Sequence, residues 1–280
     1  MIITGISDES GKDIATQIKA HKELGWDTLE LRIHNGINAS TTKFPDKEFD
    51  EVRRQLDKNG MGVTCFASAI GNWSRNIRGD FSVDTEDLKI AAKRMNMLGT
   101  KYIRIMTWLP DESDMAYTRK EGIRRCRELA KMAEDFGITI AHENCTGWGG
   151  LTPANMIELK AEVDSPNFVL LYDTGNVPVH GDDPWEYFQG IRGHFDYIHI
   201  KDGMVDKGQG QQFAYVGEGE GMVPEILKVV IGEDKYDGII SIEPHVAAIA
   251  HVSNEKPDGD VLYESYVKYG RMLEDIIRRI

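Results

Sequence analysis

Residues 136–147 read FGITIAHENCTG, an apolar run that follows a glycine and ends abruptly in His142, Glu143 and Asn144. Continuous rather than alternating hydrophobicity is the mark of a strand buried on both faces, as in a parallel sheet covered by helices. A carboxylate at the end of such a strand is unusual alone. It becomes informative when other strands end the same way.

The same grammar recurs along the chain. Candidate strands fall at 2–6, 27–31, 62–66, 101–105, 137–142, 168–172, 196–200 and 238–242. Amphipathic runs at 11–24, 47–59, 85–98, 119–135, 153–163, 184–192, 223–231 and about 261–279 read as the helices. Asp84 or Thr85 is the expected cap of the third helix, and Thr152-Pro153 reads as a cap followed by proline at the first helical position. Gly25, Gly60, Gly99 and Gly137 each stand between a helical run and a strand, where a left-handed helix terminus is expected. Eight strand–helix units in 280 residues predict one α/β domain over 1–280, a closed (β/α)8 TIM barrel. A doubly wound open sheet is the rival, but the first turn, ISDESGK, has neither glycine fingerprint of a nucleotide-binding sheet.

Composition narrows the function. The hydrophobic share is 41% and the charged share 28%, which is that of a soluble globular protein. A formal net charge of -13 argues against a nucleic-acid partner, and no run is apolar enough for a membrane span. Cys65, Cys126 and Cys145 form no paired motif, and MIITGISDES lacks the features of a secretion signal. The expectation is a cytoplasmic protein with reduced thiols.

Four consecutive units end in a potential metal ligand: Glu143, Asp173, His199 and Glu243. In a barrel the C-terminal strand ends surround one site, so these residues should meet. Three carboxylates and one imidazole suit one hard or borderline divalent ion, Mn²⁺ first, with Mg²⁺ or Co²⁺ as alternatives and Zn²⁺ a poorer fit. A bare cluster of carboxylates would be costly without a cation. Such an ion, chelated by a hydroxy-ketone, would acidify the neighbouring C–H, and Glu143 and Glu243 would act as the proton-moving pair through a metal-stabilised enediolate. Asp173, before Thr-Gly, also reads as a turn aspartate.

Other rim residues are candidate substrate contacts: Arg104 and Trp108 after strand four, His142 and Asn144 after strand five, and Asn176, Lys201 and His245. Glu30 and Arg32 close strand two on one face, where they either meet substrate or pair with one another. His180 is a further candidate, and Trp73 and Trp148 are either sugar-stacking rings or loop packing. VGEGEG, 216–221, looks like a phosphate cradle, but its glutamates favour a plain glycine-rich turn.

At HEN, YDTGN, HIKDG, GEGEG and SIEPH the chain resembles the xylose isomerase-like TIM-barrel superfamily, in its sugar phosphate isomerase/epimerase branch, over essentially its whole length. By similarity to ketose 3-epimerases, Glu143, Asp173, His199 and Glu243 would bind Mn²⁺ or a similar ion, with both glutamates moving protons. Asn176 stands where those enzymes carry histidine, and Lys201 and Lys207 where they carry arginine. The resemblance implies a metal-dependent sugar isomerase or epimerase. The alternatives are a dehydratase, decarboxylase or C-glycoside-cleaving lyase on a keto-sugar or keto-acid, and a non-catalytic sugar-binding barrel. Its implied partner is a small carbohydrate, in a homodimer or homotetramer.

Overall fold

The apolar runs become eight parallel strands around a barrel: β1 Ile2–Gly5, β2 Thr28–Leu31, β3 Gly62–Ala67, β4 Tyr102–Ile105, β5 Thr139–Glu143, β6 Phe168–Asp173, β7 Phe195–Ile200 and β8 Ile239–Ile242. This computed structural model describes residues 1–205, 211–247 and 258–280, so Lys207 lies outside the described residues. The sheet runs β1-β8-β7-β6-β5-β4-β3-β2. Between its ends, a parallel bridge from Ile6 to Glu30 and the Thr4 hydroxyl donating to the Thr28 carbonyl bring β1 and β2 together.

Helices alternate with the strands: α1 Ile14–Leu24, α2 Asp46–Asn59, α3 Ser82–Leu98, α4 Met115–Phe136, α5 Pro153–Val163, α6 Pro184–Ile191, α7 Val223–Leu227 and α8 Gly259–Arg278. After α7 the chain continues through a wider π turn, Lys228–Glu233. The main apolar core lies between the sheet and this ring, where the outward side chains of each strand meet the helices. Inside the barrel the packing is thinner, and Cys65, Ala141, Leu171 and Tyr197 form a plug below the site.

The expected helix ends hold in most places. Gly25, Gly60, Gly99 and Gly137 all take left-handed φ values, from 57° to 78°. Thr152 Oγ1 accepts the Asn155 N–H at 3.1 Å, with Pro153 following. The third helix differs: it begins at Ser82, so neither Asp84 nor Thr85 caps it. Asp84 is buried instead, accepting from the Gly71 N–H, the Trp108 indole N–H and Arg75. Two small hairpins, Ile33–His34 with Ile37–Asn38 and Asp202–Met204 with Gln212–Ala214, decorate the site end and carry no strong periodic signal.

Among the described residues no helix is long and apolar enough to cross a membrane, and the three cysteines are free thiols.

Candidate metal centre and active site

Four strand ends converge. Glu143, Asp173, His199 and Glu243 are all buried, and each offers a ligand atom within 4.8 Å of the others. From His199 Nδ1 the distances are 3.5 Å to Glu143 Oε1, 3.9 Å to Glu243 Oε2 and 4.0 Å to Asp173 Oδ2. Ligand atoms ~2.1 Å from one octahedral ion lie roughly 3.0–4.2 Å apart, so the spacing fits a shared cation. The donor chemistry agrees: among the described residues, His199 Nδ1, Asp173 Oδ2 and Glu143 Oε2 are buried with no hydrogen-bond partner.

Neighbours set the charge states. Burial would push Glu143 up, but Arg104 and His199 outweigh it and hold its carboxyl at about 2. At Glu243 the burial cost is overcome by Lys201, His245 and Arg32, which keep it well below the usual carboxylate range. Asp173 goes the other way. Burial, reinforced by the charges of Glu143 and Glu243, raises it to about 6 despite Lys201. Burial would lower His199, yet Glu30 and Glu143 lift it to about 10.

Each ligand is fixed from behind. Asp173 Oδ1 accepts the Gly175 and Asn176 N–H groups at 2.9 and 2.8 Å, so it is also the turn aspartate that its sequence suggested, while Oδ2 faces the cluster. Asn144 clamps the Asp173 backbone, its Oδ1 accepting from the N–H and its Nδ2 donating to the carbonyl. Asn176 Nδ2 donates to the Asn144 carbonyl at 2.8 Å and approaches Glu143 Oε1 at 3.4 Å.

The cluster opens into a cavity of about 380 Å³. Of the expected contacts, Arg32, Arg104, Asn176, Lys201 and His245 line it with Glu143 and Glu243, and so do His180 and Trp73. Trp108, His142, Asn144 and Glu30 are not among the lining residues. Trp108 is fully buried with its indole on Asp84. His142 lies between the inward Ala141 and Glu143, so strand alternation turns it outward, where it stacks on Phe168 and burial lowers it to about 4. Trp148 is loop packing beneath Arg119.

Glu30 and Arg32 do not pair with one another. Arg32 Nη1 donates to Glu243 Oε1 at 2.6 Å, Nη2 to Glu9 at 2.7 Å and Nε to Asp8 at 2.9 Å. Asp8 and Glu9 were missed in the sequence, although they follow β1 as polar residues follow the other strands. Glu9 also binds His245, through the backbone N–H at 3.0 Å and Nδ1 at 2.7 Å.

The glycine-rich loop is no phosphate cradle. Its N–H groups are already given to a carboxylate of the chain: Gly217 and Gly219 donate to Asp202 Oδ2 at 2.7 and 3.1 Å, and Gly221 to Oδ1 at 3.0 Å. A side chain at position 219 would collide, since its Cβ would lie 2.3 Å from Asp202 Oδ1. Asp202→Ala leaves these donors without their acceptor and is expected to cost about 3 kcal/mol. Urea unfolding checks this, and faster amide exchange at the three glycines localises it.

The xylose isomerase-like TIM barrel family model matches residues 18–261. A 2-epi-5-epi-valiolone 7-phosphate 2-epimerase from an Actinoplanes species is 36% identical over 119 residues, covering 42% of this chain and 40% of that protein. An inosose dehydratase from Clostridium beijerinckii is 26% identical over 129 residues, covering 41% and 43%. The chain thus spans well under half the length of these curated relatives. The crystal structure of a D-tagatose 3-epimerase-like protein superposes with a TM-score of 0.76 at 17% identity, covering 100% of this chain and 98% of that one, a likeness of fold.

Proposed function

The chain belongs to the xylose isomerase-like TIM barrel family, and from that premise we propose a divalent-metal-dependent enzyme that moves a proton at the carbon beside a carbonyl of an uncharged polyhydroxylated substrate. The observation that carries this reading is the convergence of Glu143, Asp173, His199 and Glu243, two of which, Glu143 and Glu243, line a cavity of small-molecule size. These four residues would hold the ion, with Mn²⁺, Mg²⁺ and Co²⁺ matching the donor set. When bound it supplies a Lewis acid for the carbonyl oxygen.

The two glutamates are not equivalent. Both oxygens of Glu243 accept from cations, Oε1 from Arg32 at 2.6 Å and Oε2 from Lys201 at 2.8 Å. Glu143 is held more loosely: Asn176 approaches its Oε1 at 3.4 Å and His199 Nδ1 at 3.5 Å, and its Oε2 faces Arg104 Nε at 3.2 Å without hydrogen-bond geometry. Glu143 is therefore the proton acceptor in this reading, and Glu243 is a held carboxylate. One base suffices for isomerisation by return of the proton to the adjacent carbon, and this outcome comes first.

Loss of water is the second reading. Lys201 lies on the Asp173–Glu243 side of the cluster, 3.2 and 2.8 Å from those carboxylates, where an ammonium donor would meet a departing hydroxyl. Similarity to an inosose dehydratase supports it.

The cavity wall supports an uncharged substrate. Among the described lining residues every guanidinium and ammonium already faces a carboxylate: Arg32 on Asp8, Glu9 and Glu243, Arg104 on Glu143, and Lys201 on Asp173 and Glu243. Asn38, Ser68 and Asn72 line it with Trp73 and Phe213, a mixture of neutral hydrogen-bonding groups and ring faces suited to a polyol.

Solvent-deuterium exchange tests the proposal. Metal-loaded protein is incubated in D₂O with ketoses, aldoses and inositol ketones, free and phosphorylated. Deuterium beside the carbonyl of a recovered isomer of an unphosphorylated substrate is expected. A product lighter by one water selects the lyase reading. Metal uptake without exchange or product on any compound counts against an enzyme of this class.

A further inference from the structure

Glu30 is a carboxylate that touches the cluster through His199 without lining the cavity. It is fully buried on β2, at the level of the barrel where His199 and Ser241 pair across β7 and β8. An isolated anion there would be strongly disfavoured. Its oxygens are instead surrounded by donors. Oε2 accepts the Tyr197 hydroxyl at 3.0 Å and the Ser241 hydroxyl at 2.7 Å, and His199 Nε2 lies 3.2 and 3.1 Å from Oε1 and Oε2.

That arrangement divides the two nitrogens of His199. Nε2 is committed to Glu30, while Nδ1 faces Glu143, Asp173 and Glu243 and has no hydrogen-bond partner among the described residues. An imidazole can ligate only through a nitrogen without hydrogen, and a carboxylate behind it fixes the hydrogen on the far nitrogen and makes the ligand more basic.

We propose that Glu30 is a positioning residue of the metal centre: held by Tyr197 and Ser241, it keeps the hydrogen of His199 on Nε2 and directs Nδ1 at the ion. The assignment rests on the metal-centre reading above. It moves Glu30 from the substrate-binding group that the sequence suggested to a role it performs through His199. Tyr197 and Ser241 become part of the same device, because they fix the carboxylate that fixes the ring.

The test compares wild type, Glu30→Gln and Glu30→Ala. Glutamine keeps the shape and an oxygen for Nε2–H, so it preserves the fold while removing the charge; alanine removes both. Mn²⁺ uptake, followed by the resonance of the free ion, is expected to weaken roughly tenfold in Glu30→Gln and towards ~100-fold in Glu30→Ala. Wild-type protein loaded with cadmium and carrying isotope-labelled histidine is expected to show cadmium coupled to Nδ1 of His199, with hydrogen retained on Nε2. Coupling to Nε2 overturns the assignment. So does wild-type Mn²⁺ affinity in Glu30→Gln, including the case where only the melting temperature of the metal-free protein falls, since that is a purely structural role. Wild-type protein that takes up neither ion overturns the metal-centre reading along with it.

Discussion

Glu143→Gln is expected to lower proton exchange and turnover about 10³-fold, within the range that a positioned acid–base group contributes. The substitution keeps the shape and an oxygen ligand, and it removes a carboxylate that is held more loosely than Glu243, with Asn176 at 3.4 Å, His199 at 3.5 Å and Arg104 at 3.2 Å. Folding should survive, because a glutamine oxygen still faces the Arg104 guanidinium and, among the described residues, only the long Asn176 hydrogen bond ends on this side chain. Deuterium exchange into substrate, read alongside metal uptake and thermal melting, checks all three parts. Exchange at the wild-type rate would take the base role away from Glu143.

The matching change at Glu243 should behave differently. On the sequence alone, Glu243→Gln removes a base from the rim and leaves the barrel intact. In the structure it also removes the charged acceptor of Arg32 and Lys201, both buried. A broken buried pair costs about 3–5 kcal/mol. Loss of melting temperature should therefore be larger at Glu243, which accepts hydrogen bonds from two buried cations, than at Glu143, which faces Arg104 without one.

The second large effect is His199→Ala. Metal affinity is expected to fall more than ~100-fold, because loss of a ligand exceeds the ~10–100-fold cost of losing a supporting residue. Stability should fall as well. Glu30 is fully buried, and without the imidazole its carboxylate loses the charge that most offsets its burial, keeping the Tyr197 and Ser241 hydroxyls as neutral donors. Breaking this buried pair is expected to cost about 3 kcal/mol in the metal-free protein. Isothermal titration with Mn²⁺ and a melt without metal separate the two effects. Unchanged affinity would remove His199 from the ligand set.

How much of this could be read beforehand differs from residue to residue. The strand at 139–143 was legible because its hydrophobicity is local, and Glu143 was legible because the run stops there. His142 was misplaced by the same stretch. Alternation puts neighbours on opposite faces, so an inward Glu143 already implied an outward His142. Trp108 had no such signal; its burial follows from Asp84, 24 positions away, accepting its indole hydrogen. Asp84 in turn was assigned to a helix cap because capping is a local pattern, whereas the contacts that claim it come from loops.

The sequence by itself determined the eight-unit barrel and the four polar strand ends, since both depend on short-range periodicity and on the rule that barrel strands present their C-terminal ends to one site. Only the tertiary structure decided how the charges at that site are shared. Arg32 reaches Glu243 across 211 positions, and Glu30 reaches His199 across 169. Such pairings are selected by which buried ions the closed barrel brings within hydrogen-bond distance, because each must find a partner once water is excluded. No local pattern carries that information. The unequal surroundings of Glu143 and Glu243, and the placing of Glu30 behind the metal-facing histidine, are its consequences.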